Sequence, residues 1–375
     1  MGTDMGTTPT GRAHQPPPSP DAGVVAWARK HLFSSPFNTL ATFAGLWIAW
    51  YLASAIVDWA VLRAVFTGED GRACSKPGTG ACWPFIAHKL DLFIYGRYPE
   101  SEMWRVDLMF VLTAIGLAGV TIPDLPGRRW QVVYTFLILP VVGYVLLSGG
   151  VLGLPLVETE RWGGLLVTLV VAIVGIVASF PIAILLALAR RSDLPVVRWT
   201  AIGFIELVRG VPLITMLFMA SVMLPLFLPS GVTVDKLMRA LIGVAVFSGA
   251  YLAEVIRGGL QAIPRGQYEA ADALGLTYWQ KMRLIVLPQA LTLVIPGIVN
   301  SSIALFKDTS LVLIIGLFDL LGIVQQSIAS DAKWFSPSTP MTGYVFAGAI
   351  FWAFCFGMSR YSQALERRLS KGQRR

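Results

Sequence analysis

Apolar runs of roughly twenty residues recur eight times along this 375-residue chain, and runs that long cross a bilayer as helices. They cover roughly Leu40–Phe66, Val106–Ile122, Gln131–Leu152, Leu165–Ala189, Val211–Leu228 and Leu237–Ile256. A seventh begins near Gln289 and the eighth covers roughly Gly343–Met358. Only 14% of the residues are charged, against about 25% in soluble chains. The predicted fold class is an all-α polytopic membrane protein with about eight transmembrane helices.

The net charge of +8 is no sign of nucleic-acid binding, because the basic residues cluster at the ends of the apolar runs. Arg29 and Lys30 precede the first run, Arg128 and Arg129 separate the second from the third, and Arg190, Arg191 and Arg198 the fourth from the fifth. Arg257, Arg265, Lys281 and Arg283 lie between the sixth and seventh, and Arg360, Arg367, Arg368, Lys371, Arg374 and Arg375 after the eighth. All fall on one face if both termini are cytoplasmic. The opposite loops carry some basic residues too, but the largest, 67–105, mixes them with Glu69, Asp70, Asp91, Glu100 and Glu102.

Residues 1–36, with QPPPSP and no helical apolar face, are predicted to be a disordered cytoplasmic tail, and 366–375 a basic one. The first run is too long and too late for a signal peptide. Cys74 and Cys82 share the predicted external loop, eight residues apart; in an oxidising compartment they can pair, and otherwise they are two free thiols. Cys355 reads as a packing residue of the last span.

No G-x-x-x-x-G-K-[ST], H-E-x-x-H, G-x-S-x-G or Cys/His metal spacing occurs, so no catalytic residue, metal site or nucleotide site is expected on this chain. The connection at 258–288, GGLQAIPRGQYEAADALGLTYWQKMRLIVLP, is longer than a helix hairpin needs. Pro264 suits a first helical turn, Gly275 a helix stop, and Thr277 the cap of a second helix running through Trp279, Met282 and Leu284 to a turn at Pro288. Tyr268, Leu274, Leu276 and Trp279 are apolar anchors among charges, which suits a docking patch or a helix pair lying in the headgroups.

Glu269-Ala270-Ala271, three residues, Gly275, nine residues, then Ile285-x-Leu287-Pro288 resembles the signature of ABC-importer permease subunits. The resemblance implies that Tyr268, Glu269, Ala270, Ala271, Gly275, Ile285, Leu287 and Pro288 belong to a coupling segment, 264–288, that docks on a separate ATPase dimer carrying ATP and Mg. AYLAEVIRGGLQAIPRGQYEAADALGL (250–276), LPQAL (287–291), LFKDTSLVLIIGLFDLLG (305–322) and FIELVRGVPLITMLF (204–218) look like the polar amino-acid uptake branch. The implied layout is a five-helix type I ABC-importer permease core at 159–365, preceded by three extra helices at 37–158, as in general L-amino-acid importer permeases. That implies an L-amino acid substrate, a periplasmic amino-acid-binding protein, a second, homologous permease chain and the bacterial inner membrane.

Glu206 and Arg209, three apart, suit an ion pair before a break at Gly210 and Pro212, and the four read as a structural hinge rather than a substrate contact. Glu254 and Arg257 repeat the pattern. Lys307, Asp308, Thr309 and Ser310 interrupt the apolar stretch from Leu291 to Leu321, which as one helix would be about 46 Å long and is predicted to break at that point. With Asn300 they are candidate substrate-pathway residues, Asp308 for an ammonium and the others for a carboxylate; the alternative is that Lys307 and Asp308 neutralise each other. An ion-driven carrier would call for acidic residues in several spans and internal repeats, and a scaffold would need no coupling signature.

Overall fold

In the computed structural model, residues 24–122, 125–229, 231 and 233–373 are described. They fall into two compact units, of which the smaller holds the chain up to Ala64 together with Gly78–Ala81. Its first helix, α1 (Val24–His31), lies within the expected disordered tail, whose residues 1–23 are outside the described ones. Arg29 and Lys30 lie in the last turn of α1, where cations meet the negative end of the helix dipole. The first span, α2 (Pro36–Val57), opens on a Ser35 cap with proline at its start and continues as a wide π-turn over Asp58–Leu62. Gly80 and Ala81 donate backbone hydrogen bonds to Arg63 O (2.8 Å) and Trp59 O (2.9 Å).

The larger unit begins with the segment predicted as a loop, which instead folds around α3 (Trp83–Tyr95). Phe85, Ile86 and Phe93 are buried in one cluster with Leu320, Ile323 and Trp334, so the segment has an apolar face that a solvated loop would lack. Cys74 and Cys82 form a disulfide, both side chains buried, and Cys82 N donates to Thr342 Oγ1 at 2.8 Å. Spans two and three are α4 (Met103–Thr121) and the helix formed by α5 (Arg128–Val133), a π-turn at Tyr134–Ile138 and α6 (Leu139–Ser148). Arg105, at the start of α4, is fully buried: its guanidinium meets Glu102 Oε2 at 2.6 Å and Pro155 O at 3.0 Å. A charge that deep persists only when paired and hydrogen-bonded.

The fourth and sixth spans are α7 (Gly164–Arg190) and α10 (Lys236–Ala262). They run parallel and pack closely: a Cβ on Gly249 would lie 2.7 Å from Ile182 Cγ2, and one on Gly175 2.8 Å from Val244 Cγ1. Between them the fifth span is bent. The expected run at 211–228 is only its second arm; α8 (Pro195–Gly210) forms the first and meets it at 103°. Val211 is extended because Pro212 follows it, and Pro212 caps α9 (Leu213–Phe218). A π-turn at Met219–Met223 follows, and Arg239 Nη1 donates to Ser221 O, the carbonyl that Pro225 cannot serve.

After α10 come α11 (Arg265–Ala273), α12 (Tyr278–Lys281), a π-turn at Met282–Val286 and α13 (Leu287–Leu293). The chain does not turn at Pro288. The wide turn before it absorbs the missing N–H, and the break comes at Val294, ahead of Pro296. The seventh span is α14 (Ile295–Asp308) continued by a 3-10 helix at Thr309–Ile315. The expected break at Lys307–Ser310 is therefore a tightening of the helix; the chain leaves it at Gly316, which takes the left-handed conformation. Asp319 caps the short α15 (Leu320–Ser330). The eighth span, α16 (Thr339–Gln373), carries no proline after Pro340 and runs on into the expected basic tail, of which Arg374 and Arg375 lie outside the described residues. Among the described residues, seven helices are long and apolar enough to cross a membrane, or eight with the bent pair counted as one span.

Candidate functional site

The segment 264–288 is built by local rules at each end. Pro264 stands just outside α11 as its N-cap residue, rather than in the first turn. At the other end Leu276 N bonds to Ala271 O (3.2 Å) and Gly275 N to Asp272 O (2.9 Å), the paired bonds of a Schellman stop. Gly275 takes φ +69°, which a side chain would strain although the space around it is open. Thr277 then caps α12 reciprocally with Gln280. Lys281 Nζ reaches Asp272 Oδ1 at 2.5 Å, tying the two helices together.

The segment has two faces. Ala271, Met282, Val286 and Ala290 are buried, the last three in one cluster with Ile256, Leu260 and Ile263 of the α10 end. Glu269, Ala270, Gly275 and Pro288 are exposed, whereas Tyr268, Ile285 and Leu287 are half-buried. Leu274, Trp279 and Leu284 stand 75%, 66% and 63% exposed on a stretch whose backbone is fixed by caps. Large apolar side chains held open in that way suit a docking surface or burial among lipid headgroups. Tyr268 instead turns inward: its hydroxyl donates to Leu260 O at 3.1 Å and lies under the Arg191 guanidinium.

Glu206 and Arg209 do not pair with each other, because both are drawn to neighbouring helices. Arg190, on α7, lies 2.9 Å from Glu206 Oε1 and 3.0 Å from Glu254 Oε1. Glu254 also meets Arg257 (2.9 Å) and, at 4.0 Å, Arg209, whose guanidinium stacks 5.5 Å from the Tyr251 ring. The charges thus join α7, α8 and α10 beside the bend at Gly210–Pro212. Sequence spacing alone recovered the Glu254–Arg257 contact and missed Arg190, whose partners are distant in the chain.

Lys307 and Asp308 form no ion pair with each other among the described residues; Lys307 is exposed and Asp308 half-buried. Thr309 is buried, and its hydroxyl donates to Phe306 O (2.8 Å), as Ser310 donates to Lys307 O (3.0 Å). Asn300, two turns earlier on α14, is exposed. Among the described residues, no three His, Cys, Asp or Glu side chains gather to hold a metal.

At the Gly164 end of α7, the Asp319 side chain accepts from Gly322 N (2.9 Å) and Leu321 N (3.3 Å). Burial pushes its carboxyl up to about 6 despite these bonds. Asp331 is held below the usual carboxylate range by Lys89, 2.5 Å away.

A family profile described as "Binding-protein-dependent transport system inner membrane component" matches residues 179–371. The Escherichia coli inner membrane amino-acid ABC transporter permease protein YhdY is 50% identical over 363 residues, covering 96% of this chain and 98% of that protein. The Rhodobacter capsulatus glutamate/glutamine/aspartate/asparagine transport system permease protein BztC is 39% identical over 428 aligned positions, covering 96% and 97%. A shorter relative, the Escherichia coli glutamate/aspartate import permease protein GltK, is 32% identical over 55% of this chain and 91% of its own length.

Proposed function

The chain belongs to the inner membrane components of binding-protein-dependent transport systems and is thus a multi-pass permease subunit of an ABC importer, and we propose that it carries polar L-amino acids under the drive of an ATPase that grips residues 264–288. The observation that carries the docking half of this reading is the exposed trio Leu274, Trp279 and Leu284 on a capped backbone. ATP and Mg reside on the ATPase subunits, and the cargo arrives on a periplasmic binding protein. The charge distribution supports an orientation with both termini and 264–288 on the cytoplasmic face. The amino-acid cargo rests on YhdY and BztC, two relatives that match nearly the whole chain and are named for amino-acid transport.

The pathway forms where this permease meets a second, homologous one. Lys307 and Asp308 lie in a span and form no direct ion pair with each other, and ionisable groups in such a position are retained for a task. Asp308 accepts the cargo's ammonium, and Lys307 or Asn300 donates to its carboxylate. Co-purification of the complex tests the assembly. An ATPase and a second permease should accompany this chain in fixed proportion, and Glu269 or Gly275 substitutions should release the ATPase or uncouple it while the chain still inserts. Normal uptake and normal ATPase retention in both variants would remove the docking assignment.

A further inference from the structure

Arg190 and Arg191 close α7 and, by sequence, do no more than mark its orientation. In the structure they point to different partners, as consecutive helical residues must, about 100° apart. Arg190 holds Glu206 and Glu254 beside the bend of the fifth span. Arg191 reaches the other way. Its Nη1 donates to Leu260 O at 2.7 Å and to the Tyr268 hydroxyl at 3.1 Å, and its guanidinium lies 5.7 Å from the Tyr268 ring centre. Leu260 is in the last turn of α10, where carbonyls have no partner within the helix. That one carbonyl takes both the Arg191 guanidinium and the Tyr268 hydroxyl, so α7, α10 and α11 meet on a single atom.

We propose that Arg191 is the positioning residue that transmits movement of the 264–288 segment to α7, with Tyr268 as its contact on α11. The inference rests on the reading of 264–288 as the ATPase-docking segment. The buried small residues of α11 give little purchase, since Ala271 is the only fully buried side chain there among the described residues. A displacement of α11 therefore acts on α7 through Tyr268 and Arg191. The neighbouring Arg190 carries the same movement to α8 and to the bend. A lysine at 191 keeps the charge but lacks the planar guanidinium that lies over the Tyr268 ring.

The test uses the whole importer in proteoliposomes and reads amino acid moved per ATP hydrolysed. Arg191→Gln should lower that ratio about five-fold with the ATPase retained in its normal proportion, and Tyr268→Phe, which keeps the ring, about two-fold. Arg191→Lys should restore only part of the loss, and the double variant should be no worse than Arg191→Gln alone, because both act through one link. A purely structural role would lower uptake and hydrolysis together and leave the ratio intact, which overturns the proposal. Where Arg191→Gln fails to assemble, Arg191→Lys and Tyr268→Phe carry the test, and an unchanged ratio in both overturns it equally. A Leu274→Asp complex that keeps its ATPase overturns the docking reading instead, whatever the Arg191 variants do.

Discussion

At the Gly164 end of α7, Phe85, Phe93, Leu320, Ile323 and Trp334 are buried against one another, with the Cys74–Cys82 disulfide and the Lys89–Asp331 pair around them. At the Arg190 end, Leu274, Trp279 and Leu284 of similar character stand open on a backbone just as firmly capped. Both ends are ordered by local hydrogen bonds, so the difference lies in what covers the apolar surface. One end is completed by its own chain, and the other leaves its apolar side chains exposed on a fixed backbone, as the proposed docking on an ATPase requires. Pre-shaping lowers the entropy lost on docking.

The largest effect should come from the open end. Leu274→Asp combined with Trp279→Asp should weaken ATPase retention about a hundred-fold, in the range of paired hot-spot losses, with insertion and thermal unfolding unchanged. Retention at the wild-type level would erase the contrast. At the closed end, replacing Cys74 and Cys82 by serine should lower stability by about 2.5 kcal/mol, the loop-entropy value for a closure of eight residues. Thermal unfolding in detergent reads that loss, and ATPase retention should not follow it. Between the ends, Asp308→Asn should raise the apparent KM for uptake about ten-fold, the scale of one charged hydrogen bond. Equal kinetics across several amino acids would return Asp308 to a structural role.

Two pH effects of opposite sign should follow, both at the closed end. The Asp319 carboxyl, at about 6 when folded, binds its proton more tightly folded than unfolded, so its contribution is complete below about 4 and is lost as pH rises through 6. Stability should rise by about 1 kcal/mol from pH 7 to pH 5, and Asp319→Asn should flatten the profile. Asp331 is depressed by Lys89, so its contribution holds above the ordinary carboxylate range and disappears as pH falls below it. That loss should stay under about 1 kcal/mol, because the pair is partly exposed.

The spans were legible because hydrophobic length is a local property of sequence, and so were the helix stop at Gly275 and the cap at Thr277, which act on their immediate neighbours. What escaped depended on distant partners. Glu206 was matched to Arg209 by spacing, whereas Arg190, sixteen residues earlier, holds it. Arg105 was invisible as a buried group because its acceptor, Pro155 O, is fifty residues away. Pro288 and the Lys307–Ser310 stretch were read as breaks because prolines and charges usually interrupt helices. Here a wide turn and a 3-10 tightening carry the helix past them. The bend of the fifth span was legible too, since Gly210 and Pro212 break the chain locally between α8 and α9.

The wide turn at Met282–Val286 has a consequence for how the protein can be altered. Such a turn holds one residue more than an ordinary helical turn, so everything before it is rotated by about 100° relative to everything after it. That surplus residue sets the angular phase between the surface offered at Leu274 and Trp279 and the helix that carries the chain back toward α14. Deleting Arg283 alone would reset the phase while keeping Leu274, Trp279 and Leu284, turning the open apolar surface to a new direction without removing the side chains that form it.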